Sequence, residues 1–246
     1  MRKRVVLALL LVVAMVVTSG CSLVVKDAEV DAQTPIITVV GQTFTKGEVN
    51  ALVQNSLNYQ ASLYSMYGLT FDPTSESAIS SAQESVINGL IEQAVVDAIV
   101  EAGRIAPSAC NNHPTRVMVL DTPELLEKAA ACQPRFARDG SIFGAPLIFL
   151  ICSVTDDAWV RPYDQMNSSA IDTSIVCDQM MMEATEHDLG TCWVCHFKPE
   201  VAQEQFNLPK GVYPYHMLVC GYPADHIADP EHREARTIPL PDFLLK

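Results

Sequence analysis

The sequence predicts an α+β chain: a sheet covered by helices, preceded by a small, mainly helical domain. Two observations carry this. Between about residues 45 and 102 apolar side chains recur at helical spacing, and beyond them apolar strand-like runs alternate with helical stretches. Size agrees, since 246 residues with 49% apolar content suffice for one large or two modest domains. No internal repeat or low-complexity tract interrupts the pattern.

Arg2, Lys3 and Arg4 precede an apolar run from Val5 to Val17. That run is too short to span a bilayer and fits a signal peptide over residues 1–20. Its end, Thr18-Ser-Gly-Cys21, resembles the lipobox of bacterial lipoproteins. The resemblance implies cleavage before Cys21, lipidation of its thiol, and a lipid anchor at the extracytoplasmic face of the cell membrane. A plain signal or an uncleaved anchor is the alternative. Residues 21–34 are polar and acidic and read as a tether.

Ile36 to Val40 is a short strand closed by a Gly41-Gln42 turn. Thr45 and Glu48 form a capping box, and Val49, Leu52, Val53 and Leu57 then share one helical face. Gly68 to Ser77 breaks the pattern. A second helix runs from about Glu76 to Ala102 with Ile79, Val86, Ile87, Leu90, Ile91, Val95 and Ile99 in phase. Segment 35–100, with its Val40-Gly-Gln-Thr-Phe-Thr-Lys46 entry, resembles the N-terminal helical domain of surface foldases related to SurA and PrsA. No isomerase domain accompanies it, so the resemblance implies at most chaperone-like binding. Further on, strands fit 116–120, 146–153, 191–197 and 215–220, and helices fit 122–132, 166–188 and 199–206.

Formal net charge is −13, and loss of the three N-terminal cations takes it to −16. Such a chain repels phosphate backbones, which argues against a nucleic-acid partner. Eight cysteines at 21, 110, 132, 152, 177, 192, 195 and 220 invite a disulfide framework. Most of them lie in or beside apolar runs, where a free thiol packs as a small hydrophobe, so most read as free. Cys192-Trp-Val-Cys195 is a poor metal or dithiol site if it is a strand, because residues three apart face opposite sides. Met180-Met-Met182 reads as core packing.

The segment Ala106-Pro-Ser-Ala-Cys-Asn-Asn-His-Pro114 carries most of the chemistry. Its two prolines disfavour helix, and Ser108, Asn111, Asn112 and His113 bring short polar groups to one loop. Together with Glu101–Arg104 before it, Gly144-Ala-Pro-Leu-Ile-Phe-Leu150, Asp188-Leu-Gly-Thr-Cys-Trp-Val-Cys-His-Phe197, Leu218-Val-Cys-Gly-Tyr-Pro223 and Arg236-Thr-Ile-Pro-Leu240, it resembles the FMN-dependent nitroreductase family over about residues 101–246.

The resemblance implies FMN as cofactor, NAD(P)H as reductant, a small aromatic or quinone-like acceptor, a ping-pong hydride route, and a homodimer sharing its flavin sites. It assigns cofactor contacts to Pro107, Ser108, Ala109, Asn111, His113, Val194, Cys195 and His196, and phosphate contacts to Arg233 and Arg236. His113 stands where the family usually has glutamine, and could donate to a ring carbonyl. The family's N-terminal basic cluster is missing, since Lys46 is the only cation between Asp27 and Gly103. The domain is therefore expected to be truncated at its N-terminus. A non-catalytic tethered chaperone-like lipoprotein, or an inactive hybrid, is the alternative.

Overall fold

The structure is a computed structural model describing residues 27–223 and 237–245. The chain divides into two compact units at Ala98/Ile99. The signal segment and Cys21 lie outside the described residues.

The first unit opens with α1 (Ala28–Ala32), capped by the Asp27 carboxylate, which accepts from the Glu29 amide at 3.0 Å. Five residues within the expected tether, Ala28–Ala32, are thus helical. The cap, the Lys46–Asp31 ion pair and the Lys46 amide on the Thr34 carbonyl tie the segment down. Strands β1 (Pro35–Val39) and β2 (Gln42–Thr45) form an antiparallel hairpin. Its turn is Val40-Gly41 rather than Gly41-Gln42, with φ of 50° and 77°. Positive φ at both central residues matches the right-handed twist of a hairpin.

Helix α2 (Lys46–Met66) starts with the expected capping box: Thr45 Oγ1 accepts from the Glu48 amide, and Glu48 Oε2 accepts from the Thr45 amide at 2.7 Å. Val49, Val53 and Leu57, each four residues on, are buried with Ala82 of α3 (Glu76–Arg104). Leu52 is 41% exposed, on the flank of that stripe, which corrects its place on the buried face.

The second unit is built on an antiparallel sheet of β3 (Thr115–Leu120), β6 (Leu147–Val154), β8 (Val212–Gly221) and β7 (Gly190–Val194), in that spatial order. Ile148 to Ile151 in central strand β6 are wholly buried. Helices α4 (Pro123–Cys132), α5 (Ser169–Glu186) and α6 (Pro199–Gln205) cover this sheet, and α7 (Leu240–Phe243) is a single turn. The fold is α+β, as expected.

A small hairpin, β4 (Ala137–Arg138) with β5 (Ser141–Ile142), was not foreseen. Asp139-Gly140 makes its turn with φ of 47° and 77°, and that dipeptide was the available signal. β7 ends at Val194, not 197. Of the methionine triplet, Met180 is buried and Met182 is 65% exposed, because one helical face cannot hold three consecutive residues.

Leu57→Ala is expected to cost the first unit about 2–5 kcal/mol, and Leu52→Ala under about 1 kcal/mol, in urea unfolding.

Candidate functional site

The 106–114 loop leaves α3 at Arg104, immediately after Gly103. A Cβ at Gly103 would lie 2.8 Å from Met180 Cγ and 3.2 Å from Val176 Cγ1, so the helix end is pressed onto α5. Ala106 is buried; Pro107 is exposed. One 3₁₀ turn, Ala109–Asn111, follows. Cys110, Asn111 and His113 then take left-handed backbone angles, with φ of 51°, 59° and 47°. Each such non-glycine residue costs on the order of 1 kcal/mol or more and needs support from its surroundings.

Asp172 supplies much of that support. It is wholly buried in the first turn of α5; one carboxyl oxygen accepts from the Ala109 amide at 2.8 Å and the other from Ser168 Oγ at 2.6 Å. Within the loop, Ser108 Oγ accepts from the His113 amide at 2.9 Å, and the Asn111 amide donates to the Ser108 carbonyl at 3.0 Å. Asn112 Nδ2 donates to the Asp157 carbonyl, and Arg116 donates to the carbonyls of His113 and Thr115.

His113 Nε2 lies 2.9 Å from Asn111 Oδ1. An amide oxygen only accepts, so the neutral ring's proton sits on Nε2 and is used within the loop. His113 therefore presents an acceptor, Nδ1, rather than the donor expected of it.

The next two residues of α5 reach the other half of the site. Thr173 Oγ1 and Ser174 Oγ lie 3.2 and 3.3 Å from His216 Nε2 on β8, and His216 Nδ1 lies 3.4 Å from Cys195 Sγ just beyond β7. Trp193 meets the His216 ring edge-on at 5.0 Å. Burial holds His216 down from its usual value near 6.5 to about 4.

His196 turns elsewhere. Its Nδ1 faces the amide nitrogen of buried Gln133, whose oxygen accepts from the Arg135 amide, and its ring packs near Phe136. Val194 belongs to the core beneath the sheet. Thus α5 links Ser108, Ala109, Asn111 and His113 to Cys195; Val194 and His196 face other groups; Arg233 and Arg236 lie outside the described residues.

All seven described cysteines are free. Burial pushes the thiols of Cys132, Cys152 and Cys220 up to about 11, 12 and 12, and that of Cys177 higher still. Cys110, Cys192 and Cys195 are exposed. Among the described residues, no three His, Cys, Asp or Glu side chains converge in a metal-binding group, and no helix is long and apolar enough to cross a membrane. Asp172, His216 and Gln133 were missed from the sequence. An acid heading the stripe Asp172, Val176, Met180, and a lone histidine inside an apolar strand, were the signals.

The sequence profile described as the Nitroreductase family matches residues 88–136 and 130–222, more than half of the chain. The chain belongs to the nitroreductase family. A crystal structure of a nitroreductase family protein from Clostridium difficile 630 is 34% identical, with a TM-score of 0.56, over 61% of this chain and 84% of that one. A Methanothermobacter thermautotrophicus protein, provisionally named an NADH dehydrogenase/NAD(P)H nitroreductase, is 24% identical over 55% of this chain and 69% of its own length. The nitroreductase match begins at residue 88, inside α3, rather than near 101.

Asp172→Ala removes two buried acceptors and is expected to cost about 2–4 kcal/mol, with faster hydrogen exchange at Ala109 than at β6 amides. His216 makes a second expectation. Between pH 6.5 and about 4 the unfolded chain takes up a proton that the folded unit refuses. Stability should therefore be full above that window and fall as pH drops through it. Thermal melts across pH should show a shallower slope in His216→Gln.

Proposed function

We propose that the second unit binds FMN and acts as an oxidoreductase, taking electrons from NAD(P)H and passing them to a small aromatic or quinone-like acceptor. The observation that carries this is the 107–113 loop, held in an otherwise costly backbone shape by Asp172. Its free hydrogen-bonding capacity has the right composition. Ser108 accepts through Oγ and keeps its own proton to donate; Asn111 keeps its Nδ2 donors; His113 keeps Nδ1 as an acceptor. Two donors and one acceptor complement the two carbonyls and one N–H on the pyrimidine edge of an isoalloxazine.

The phosphate end is less well provided. Among the described residues, the guanidinium hydrogen-bonded to this loop is Arg116, which serves loop carbonyls and lies 3.8 Å from Asp157. Arg233 and Arg236 are the residues proposed to meet the phosphate. When bound, FMN supplies the redox chemistry; the chain supplies position and shielding. Ser108, Asn111 and His113 orient the ring edge, and Pro107, Ala109 and Cys195 are proposed to lie against it. A homodimer, and a lipid anchor at Cys21 holding the protein at the extracytoplasmic membrane face, complete the proposal. So does the foldase-like reading of the segment upstream of residue 88.

The test is absorbance of the purified chain after FMN addition and desalting. A retained flavin band is expected, with Asn111→Ala weakening FMN binding roughly tenfold in fluorescence titration. No flavin retained even at high FMN would overturn the oxidoreductase reading.

A further inference from the structure

Helix α2 buries one apolar stripe and turns a second one outward. Leu52, Tyr59 and Met66 are 41%, 66% and 73% exposed. They stand seven residues apart, so they fall on one line that drifts by about 20° per step. Tyr67 and Leu69, also exposed, prolong the patch past the helix end. Tyr64 differs, since its ring lies 5.1 Å from that of Phe71 in the same unit.

The same stretch is free of charge. Residues 49–71 contain no Asp, Glu, Lys, Arg or His. Strand β6 lacks charge as well, but it is core; most of 49–71 faces solvent. Exposed tyrosine and methionine without charged neighbours is the composition of the centre of a protein–protein contact.

We propose that this face of α2 pairs with the same face of a second copy of the chain, antiparallel, about a two-fold axis at Tyr59.

The stripe reads alike from either end. Seven residues from Tyr59 stand Leu52 and Met66, and three residues from it stand Ser56 and Ser62. Under a two-fold axis Tyr59 meets Tyr59, Leu52 of each copy meets Met66 of the other, and Ser56 lies beside Ser62. The serines are small enough to let the helices close, and the Ser62 hydroxyl already donates to the Asn58 carbonyl at 2.9 Å, so it can enter a dry seam. A seven-residue repeat is the seam of a helix pair and matches another helix rather than an extended chain.

Charge selects the same occupant. Two chains of net charge −13 repel over most of their surfaces, and on this face neither carries a charge to repel the other. The contact lies upstream of the nitroreductase match, which begins at residue 88, so it is separate from the flavin-sharing homodimer and independent of flavin. One helical seam is small beside the roughly 20–30 residues a side of a stable complex, so the association is weak, with a Kd on the order of 10 μM.

Sedimentation velocity of the full chain across micromolar concentrations tests this. Tyr59→Glu sets two carboxylates on the axis and should weaken association about a hundredfold. Asn50→Glu adds the same charge at an exposed position half a turn from Tyr59 and should change it less than about twofold. A dimer formed through the second unit would be common to all three chains and leaves the comparison intact. A benzophenone amino acid at position 59, in a mixture of nitrogen-15-labelled and unlabelled chains, should cross-link α2 of one copy to α2 of another, as mapped by mass spectrometry. Association unmoved by Tyr59→Glu, or weakened equally by Asn50→Glu, overturns the proposal. So does a cross-link that joins position 59 only to other segments, or to added unfolded protein in place of a second α2.

Discussion

A buried carboxyl group at the start of α5 determines how the second unit presents its polar loop. Asp172 is wholly buried, and each of its oxygens accepts one hydrogen bond, from the Ala109 amide and from Ser168. An acid in the first turn of a helix also meets the positive end of the helix dipole. Without this anchor the loop would have little to offset three left-handed non-glycine residues. The following two residues, Thr173 and Ser174, set their hydroxyl oxygens 3.2 and 3.3 Å from His216 Nε2. A single helical turn thus positions chemistry on both sides of itself.

The sheet provides the rigid part. β6 is buried along its middle and paired on both sides, whereas β7 is a five-residue edge strand that stops at Val194. Where pairing stops, side-chain alternation stops too. Cys195 and His196 are therefore free to turn toward unrelated partners, one to β8 and the other to Gln133. Had the strand continued to residue 197, the two would simply have faced opposite sides of the sheet.

Periodicity made most of the scaffold legible. The capping box at Thr45, the long α3, the four sheet strands and their covering helices all follow from residue spacing. The ordered motifs from Ala106 to Pro223 pointed to the family. What stayed hidden depends on partners distant in sequence. Asp172 is 63 residues from the amide it binds, and that partner is backbone, which carries no side-chain signature. His216 lay inside an apolar run and drew no attention there. The helix at Ala28–Ala32 was lost because a cap and an ion pair, rather than an apolar stripe, define it.

The close packing of Gly103 on Met180 has a consequence for how this loop can change over generations. The loop is fastened to α5 twice, upstream where Gly103 meets Met180 and Val176, and downstream where Ala109 meets Asp172. Residues 172 and 180 are about 12 Å apart along a helix, and 104–108 must bridge that interval. Exchanging side chains within the loop leaves both fastenings in place, whereas any change of length has to be absorbed within residues 104–108.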